Sequence, residues 1–346
     1  MSENKSSYKQ IFKATSIFGG VQIFNIIIQL VRSKFVAVFL GPAGMGFMGL
    51  LNSTLTLVST VTNLGLGTSA VRNIAQANAS GNTEKISFTI SLFQKLVWLT
   101  GILGLLVTLI SSYLLSKMTF GTYTYVYAFC ILSVTLLINQ LAAGQRVILQ
   151  GMRKTKLLAQ ANIFGSSISV ISTLPLYYFF GMNGIVPSLI LTSIIAYFIQ
   201  SFYAKKMKFV KVGISFCDAF NKGKDMIKLG VTLSISALIT ILVSYLVRIY
   251  ISNTGGLSEV GFYTAGFSII SSYVGLVFTA MGTDYSPRLA AVHRDVKKYN
   301  ETINQQTEIA IYILTPIICA FLIFINWIIT FLYSSKFLPL TVILHS

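Results

Sequence analysis

The chain has 346 residues, 54% of them hydrophobic and only 10% charged, with a formal net charge of +17 and a mean hydropathy of +0.75. A soluble domain carries about 25% charged residues, so this composition excludes an ordinary water-soluble protein. The excess positive charge points at first to nucleic acid, but it sits in short connections between apolar segments, where it sets membrane orientation and meets anionic headgroups.

Taken in chain order, nine segments are long and apolar enough to cross about 30 Å of hydrocarbon. They are roughly 14–39, 44–66, 86–115, 122–143, 157–180, 184–203, 227–252, 259–282 and 307–333. "YSSKFLPLTVILHS" then begins what reads as a tenth. The expected fold is an all-α polytopic membrane protein. Twenty of the 26 basic residues fall in the N-terminal tail and in the connections after segments two, four, six and eight. By the positive-inside rule that side is cytoplasmic, and so is the N-terminus. A polytopic plasma-membrane protein follows. The first segment is too long for a signal-peptide core, and no A-x-A site follows it.

The chemistry-bearing motifs of enzymes are absent. There is no phosphate-binding G-x-x-x-x-G-K-[ST], H-E-x-x-H or G-x-S-x-G sequence. Cys130, Cys217 and Cys319 form no metal-ligand spacing, and His293 and His345 lie far apart. No cofactor, metal or catalytic residue is expected, and the short outer connections leave no room for an outer catalytic domain. The expectation is therefore that the chain is not an enzyme.

The chain repeats itself. Leu30-Val31-Arg32 matches Leu246-Val247-Arg248 at an offset of 216. Gly46-Phe47 matches Gly261-Phe262, and Gly67-Thr68 matches Gly282-Thr283, both at 215. Arg72 and Ala75 match Arg288 and Ala291 at 216. That offset spans six segments, an even number, so the two copies share one orientation and are expected to be related by a pseudo-two-fold axis along the membrane normal. The predicted organisation is a six-helix N-lobe over 1–204, a basic cytoplasmic linker over 205–226, and a C-lobe over 227–346 with three helices and the start of a fourth. A second full copy would end near 430, so three possibilities stay open: a fragment, a truncated inactive product, or a protein that works differently from two-lobe relatives.

Polar residues at helical spacing mark faces turned away from lipid. Segment one has Gln22, Asn25, Gln29 and Arg32; segment two has Asn52, Thr56, Ser59 and Asn63. Segment five has Asn162, Ser166, Ser169 and Thr173; segment seven has Ser236, Thr240, Ser244 and Arg248. Hydroxyls can bond back to the carbonyl four residues earlier and simply let helices pack. Amides and guanidinium groups are costlier to bury, so Gln22, Asn25, Gln29, Asn52 and Asn63 are assigned to a wet cavity. Arg32 and Arg248, at matching positions, either snorkel to headgroups or face the cavity as bidentate phosphate forks. Lys95 either snorkels or lines the cavity entrance. Asp284, the one carboxylate near a helix interior, either pairs with Arg288 or couples an ion.

The stretch "FVAVFLGPAGMGFMGLLNSTLTLVSTVTNLGLGTSAVRNIAQ" at 35–76 resembles the polysaccharide flippases of the multidrug/oligosaccharidyl-lipid/polysaccharide exporter superfamily. It looks most like the O-antigen and enterobacterial common antigen translocases (Wzx type). "LGPAGMG" and "NLGLGTSAVRNIA" carry most of the likeness, and "YSSKF" at 333–337 adds to it. The resemblance implies six plus six helices around a basic cavity. It implies an undecaprenyl-pyrophosphate-linked oligosaccharide as substrate, moved from the cytoplasmic to the outer leaflet for lipopolysaccharide or similar polysaccharide assembly. Its implied partners are the lipid-linked oligosaccharide, membrane lipids and other assembly proteins. The competing readings are a cation-coupled drug or metabolite exporter, which needs a cavity carboxylate that segments one to six lack, and a membrane-embedded glycan polymerase or ligase, which needs a long outer loop.

Overall fold

The computed structural model describes residues 2–207, 209–210, 212–213, 215–271, 275, 289 and 296–341, with side chains from Gly20. Among them there is no strand. The helices are α1 (Ser2–Thr62), α2 (Leu66–Ala79), α3 (Thr83–Phe120), α4 (Val126–Gly151), α5 (Thr155–Phe180), α6 (Ile185–Lys205), α7 (Phe216–Lys222), α8 (Lys224–Ile269), α9 (Val296–Ile323) and α10 (Ile325–Leu332). Among the described residues six helical stretches are long and apolar enough to cross a membrane. Two of these each hold two of the segments read from the sequence, and a third, α8, holds segment seven and the first part of segment eight. The pairs meet at Gly41 in α1, at the Gly181–Gly184 3-10 turn between α5 and α6, and at Gly256 in α8.

The junctions have a local cause. A helix of 61 residues would run about 90 Å, some three hydrocarbon thicknesses, if it were straight. Gly41 interrupts it at φ 66°, ψ −170°, and Gly256 interrupts α8 at φ 81°, ψ −176°. Residues with a Cβ essentially never occupy that region. Pro42 follows as the first residue of the next helical stretch, where its missing N–H is no loss. α3 is capped at both ends. The Asn82 side chain accepts the N–H groups of Glu84 and Lys85 at 2.9 and 3.1 Å, and Gly121 closes α3 in a left-handed conformation.

Contacts divide the chain into two compact units, one of Met1–Arg32 with Phe47–Gly256, the other of Ser33–Gly46 with Leu257–Ser346. This grouping cuts across the blocks 1–204, 205–226 and 227–346, because most of α8 packs with the first unit.

In the first unit α4 lies against α3 and α6, and α6 against α5. Small residues allow the close approach that replaces hydrophobic driving force inside a bilayer. A Cβ on Gly144 would stand 2.9 Å from Val97 Cγ1, and one on Gly151 2.7 Å from Ile74. Leu66, Ala70, Ile74, Phe93, Leu96 and Ile148 form a buried cluster that also takes in Met226 at the start of α8. The connector is not loose: the Val212 N–H donates to Ser91 Oγ at 3.0 Å, and Ala219 of α7 is buried against Leu92 and Phe88. A buried hydroxyl chain runs from Thr54 through Thr119 to Tyr245, with steps of 3.2 and 2.8 Å.

In the second unit Phe262 packs edge-on against Phe337, which stacks on Tyr333. Tyr333 Oη donates to the Ala265 carbonyl at 3.0 Å. The "YSSKF" motif therefore works by packing, with Tyr333 and Phe337 both buried on α8. Lys34 Nζ donates to the Thr330 carbonyl at 2.8 Å, a cation placed on the C-terminal turn of α10, where the helix dipole favours it.

Candidate transport site

Apolar helices in a membrane normally turn hydrocarbon side chains outward and small or polar ones inward. The first unit follows this rule around one polar cavity of about 280 Å³. Its polar lining is Arg32, Asn52, Thr56, Ser59, Thr60, Thr135, Asn139, Thr192 and Ser193, with no carboxylate among the described residues. The sequence stripe of segment two thus converges with polar positions on α4 and α6.

Most hydroxyls here have two roles. Thr56 Oγ1 donates to the Asn52 carbonyl at 2.7 Å, Thr60 Oγ1 to the Thr56 carbonyl at 2.8 Å, and Ser193 Oγ to the Leu189 carbonyl at 2.9 Å. Their protons are held by their own helices, while their lone pairs stay available to a ligand. Thr192 Oγ1 is buried and finds no hydrogen-bond partner among the described residues. A buried hydroxyl left alone costs about 1–3 kcal/mol, which a ligand group in the cavity would offset.

Among the described residues Arg32 is the only charged group lining this cavity. One of its terminal nitrogens donates to Tyr177 Oη at 3.4 Å. Tyr177 is 1% exposed, and its oxygen lies 2.9 Å from Ser188 Oγ. A buried phenol fixed by a second hydroxyl therefore holds one edge of the guanidinium, leaving the remaining donors for a ligand. Sequence reasoning passed over Tyr177, Thr135, Asn139 and Thr192. Asn139, an amide within an apolar helix, was the visible signal among them. Tyr177 carried none, because a tyrosine in an aromatic run near a helix end is ordinary.

The other expected site residues scatter. Asn52 lines the cavity beside Arg32. Asn25 is half-buried and accepts from Ser166 Oγ at 3.4 Å, while Gln22 and Gln29 are exposed and line neither this cavity nor the second one described next. The Asn63 amide oxygen accepts the Gly65 N–H at 2.7 Å and so shapes the turn that ends α1. Arg248 turns back onto its own helix, donating to the Ser244 carbonyl at 3.0 Å and to Ser244 Oγ. Lys95 lines a second cavity of about 610 Å³ between α3, α4, α6 and the connector. Asp284 lies outside the described residues.

Solved structures share this architecture. An inward-facing multidrug resistance MATE family transporter of the MOP superfamily matches 92% of this chain and 75% of its own, at TM-score 0.75 and 18% identity. A MOP superfamily transporter from Pyrococcus furiosus, described as having a binding pocket of reversed polarity, matches 95% of this chain and 77% of its own at TM-score 0.63 and 16% identity. The fold is therefore MATE-like, with helices long and apolar enough to cross a membrane several times. The chain belongs to the polysaccharide biosynthesis protein family, whose model matches residues 35–342. A candidate O-antigen transporter of Shigella flexneri is 24% identical over 329 residues, covering 90% of this chain and 74% of the relative. The resemblance read from residues 35–76, to polysaccharide flippases of the MOP superfamily, is borne out at the level of family.

Proposed function

We propose that this protein is a carrier, not an enzyme, that moves a lipid-linked oligosaccharide from the cytoplasmic to the outer leaflet of the bacterial inner membrane. The observation that carries the reading is the cavity that unites Arg32 with amides and hydroxyls inside apolar helices. A glycan leaving water must exchange its hydrogen bonds for new ones, and a phosphate must find a cation; otherwise each group costs several kcal/mol to desolvate. Asn52, Asn139, Thr56 and Thr192 replace water around sugar hydroxyls, and Arg32 offers a fork to phosphate. A lining that among the described residues has one guanidinium and no carboxylate suits an anion better than the cationic cargo or coupling ion of a drug exporter. Family membership and the Shigella flexneri relative support the same substrate class.

In this reading the repeat marks two lobes around a shared path, with the connector at 205–226 on the cytoplasmic side, and the lipid tail stays in the bilayer while the lobes rock. The test is reconstitution into vesicles containing a polyprenyl-pyrophosphate-linked oligosaccharide. A membrane-impermeant oxidant reads how much glycan becomes accessible with time. A rate above that of protein-free vesicles is expected; equal rates would overturn the proposal.

A further inference from the structure

The second cavity of the first unit is separate from the transport site and has a different chemistry. It holds about 610 Å³, and its polar lining includes Lys95, Lys205, Gln94, Gln145, Ser91 and Ser201, with no carboxylate among the described residues. Lys95 Nζ stands 4.4 Å from the centroid of the Phe216 ring, which holds the ammonium in place without neutralising it. Ser201 Oγ is buried and has no hydrogen-bond partner among the described residues. Trp98 and Phe198 also line the cavity and are 44% and 66% exposed. The connector closes one end through Val212, tied to Ser91.

Two cations, an unpartnered hydroxyl and amide donors make an anion site. Exposed aromatic rings on its rim place that site at the level where membrane headgroups meet hydrocarbon. It borders the most basic connection of the chain, which the distribution of charge puts on the cytoplasmic side. A soluble anion would have to be drawn from dilute solution, whereas headgroups are concentrated in the plane of this opening. Basic pockets between membrane helices on that side take anionic lipid headgroups.

We propose that this cavity binds the phosphate headgroup of an anionic glycerophospholipid from the cytoplasmic leaflet, with Lys95 and Lys205 on the phosphate and the acyl chains running out past Trp98 and Phe198. The lipid would pin the connector to α3, α4 and α6.

The chain supplies its own reporter. It has two tryptophans, so Trp327→Phe leaves Trp98 as the only one. The full chain is placed in phosphatidylcholine nanodiscs carrying a few mole per cent of phosphatidylglycerol brominated on its acyl chains, and Trp98 fluorescence is followed. Brominated phosphatidylglycerol is expected to quench at far lower mole fraction than brominated phosphatidylcholine. Lys95→Gln and Lys205→Gln should each weaken that preference about fivefold, and together about 25-fold. Replacing both by arginine should keep it, since the charge remains. Equal quenching by the two lipids in the parent protein overturns the proposal whether or not the glutamine variants fold. An unchanged preference in a folded double glutamine variant overturns it as well. Relief of quenching by millimolar phosphate or pyrophosphate would assign the site to a soluble anion and also overturn it.

Discussion

Gly46 and Gly261 meet reciprocally: a Cβ on Gly46 would fall 1.9 Å from the Leu257 carbonyl oxygen, and one on Gly261 would fall 2.0 Å from the Pro42 carbonyl oxygen. Pro42 and Leu257 stand at the same repeat offset, 215, as the two glycines. Each copy thus presents a glycine to the first turn that follows the other copy's helix-breaking glycine. The match seen in sequence as Gly46-Phe47 and Gly261-Phe262 is a physical contact.

The contact predicts a non-additive pair. Gly46→Ala and Gly261→Ala should each destabilise the protein, because the obstacle is backbone and cannot rotate away. Combined, they should cost less than their sum, since the first alanine already opens the interface. Unfolding in detergent, measured as a double-mutant cycle, checks this; strict additivity would show that the two glycines do not share a contact.

Gly41 and Gly256 predict a different failure. A Cβ at either would meet nothing within 4 Å, so space is not the constraint; backbone conformation is. Alanine at either should cost about 1–3 kcal/mol through strain alone. Gly20 also has nothing within 4 Å and no positive φ, so Gly20→Ala, inside α1, should not lower the unfolding midpoint and should raise it slightly through helix propensity. A Gly41→Ala protein as stable as the Gly20→Ala control would show that α1 can be rebuilt without the left-handed residue.

The hydroxyl chain Thr54–Thr119–Tyr245 is buried throughout. Tyr245→Phe removes one interhelical hydrogen bond, worth about 0.6–1.7 kcal/mol between membrane helices. Tyr245→Phe together with Thr119→Val should cost less than the two singles added, because the pair then leaves no hydroxyl of that step unpaired. Unfolding by a denaturing detergent reads the difference.

Arg32 predicts a graded loss of transport. Arg32→Ala removes a charge-assisted fork worth about 1.5–3 kcal/mol, or about 10- to 150-fold in binding. Arg32→Lys should recover only part, because an ammonium cannot hold Tyr177 and a phosphate in one plane. Tyr177→Phe should give a smaller loss, by freeing the guanidinium to wander. Surface polysaccharide in a complemented flippase-null strain, at matched protein levels, checks all three. Normal polysaccharide from the alanine variant would remove Arg32 from the phosphate site.

Orientation is testable with single cysteines in a background lacking Cys130, Cys217 and Cys319. Asn183, Ser258 and Lys222 are all exposed. Cysteine at Asn183 or Ser258 should react with an impermeant thiol reagent outside intact cells. Cysteine at Lys222 should react only after permeabilisation. Labelling of the Lys222 position in intact cells would reverse the topology.

The sequence by itself determined the class of protein, an all-helical chain whose apolar segments match the bilayer. Segment length is a one-dimensional property, and a bilayer enforces helical spans strictly because unpaired backbone cannot sit in hydrocarbon. The turn at "LGPAGMG" was legible for a local reason, since only glycine takes the backbone angles of Gly41; at "NLGLG" both Leu64 and Gly65 have positive φ. Which polar side chains share a cavity was decided by tertiary packing. Arg32 and Arg248 end similar stripes, yet one reaches Tyr177 and a polar cavity while the other bonds back to Ser244. Asn52 faces the cavity and Asn63, three turns along the same helix, caps a bend. Helical periodicity selects a face, but what that face meets depends on which helices cross it and at what angle, and that follows from side-chain fit between segments distant in the chain.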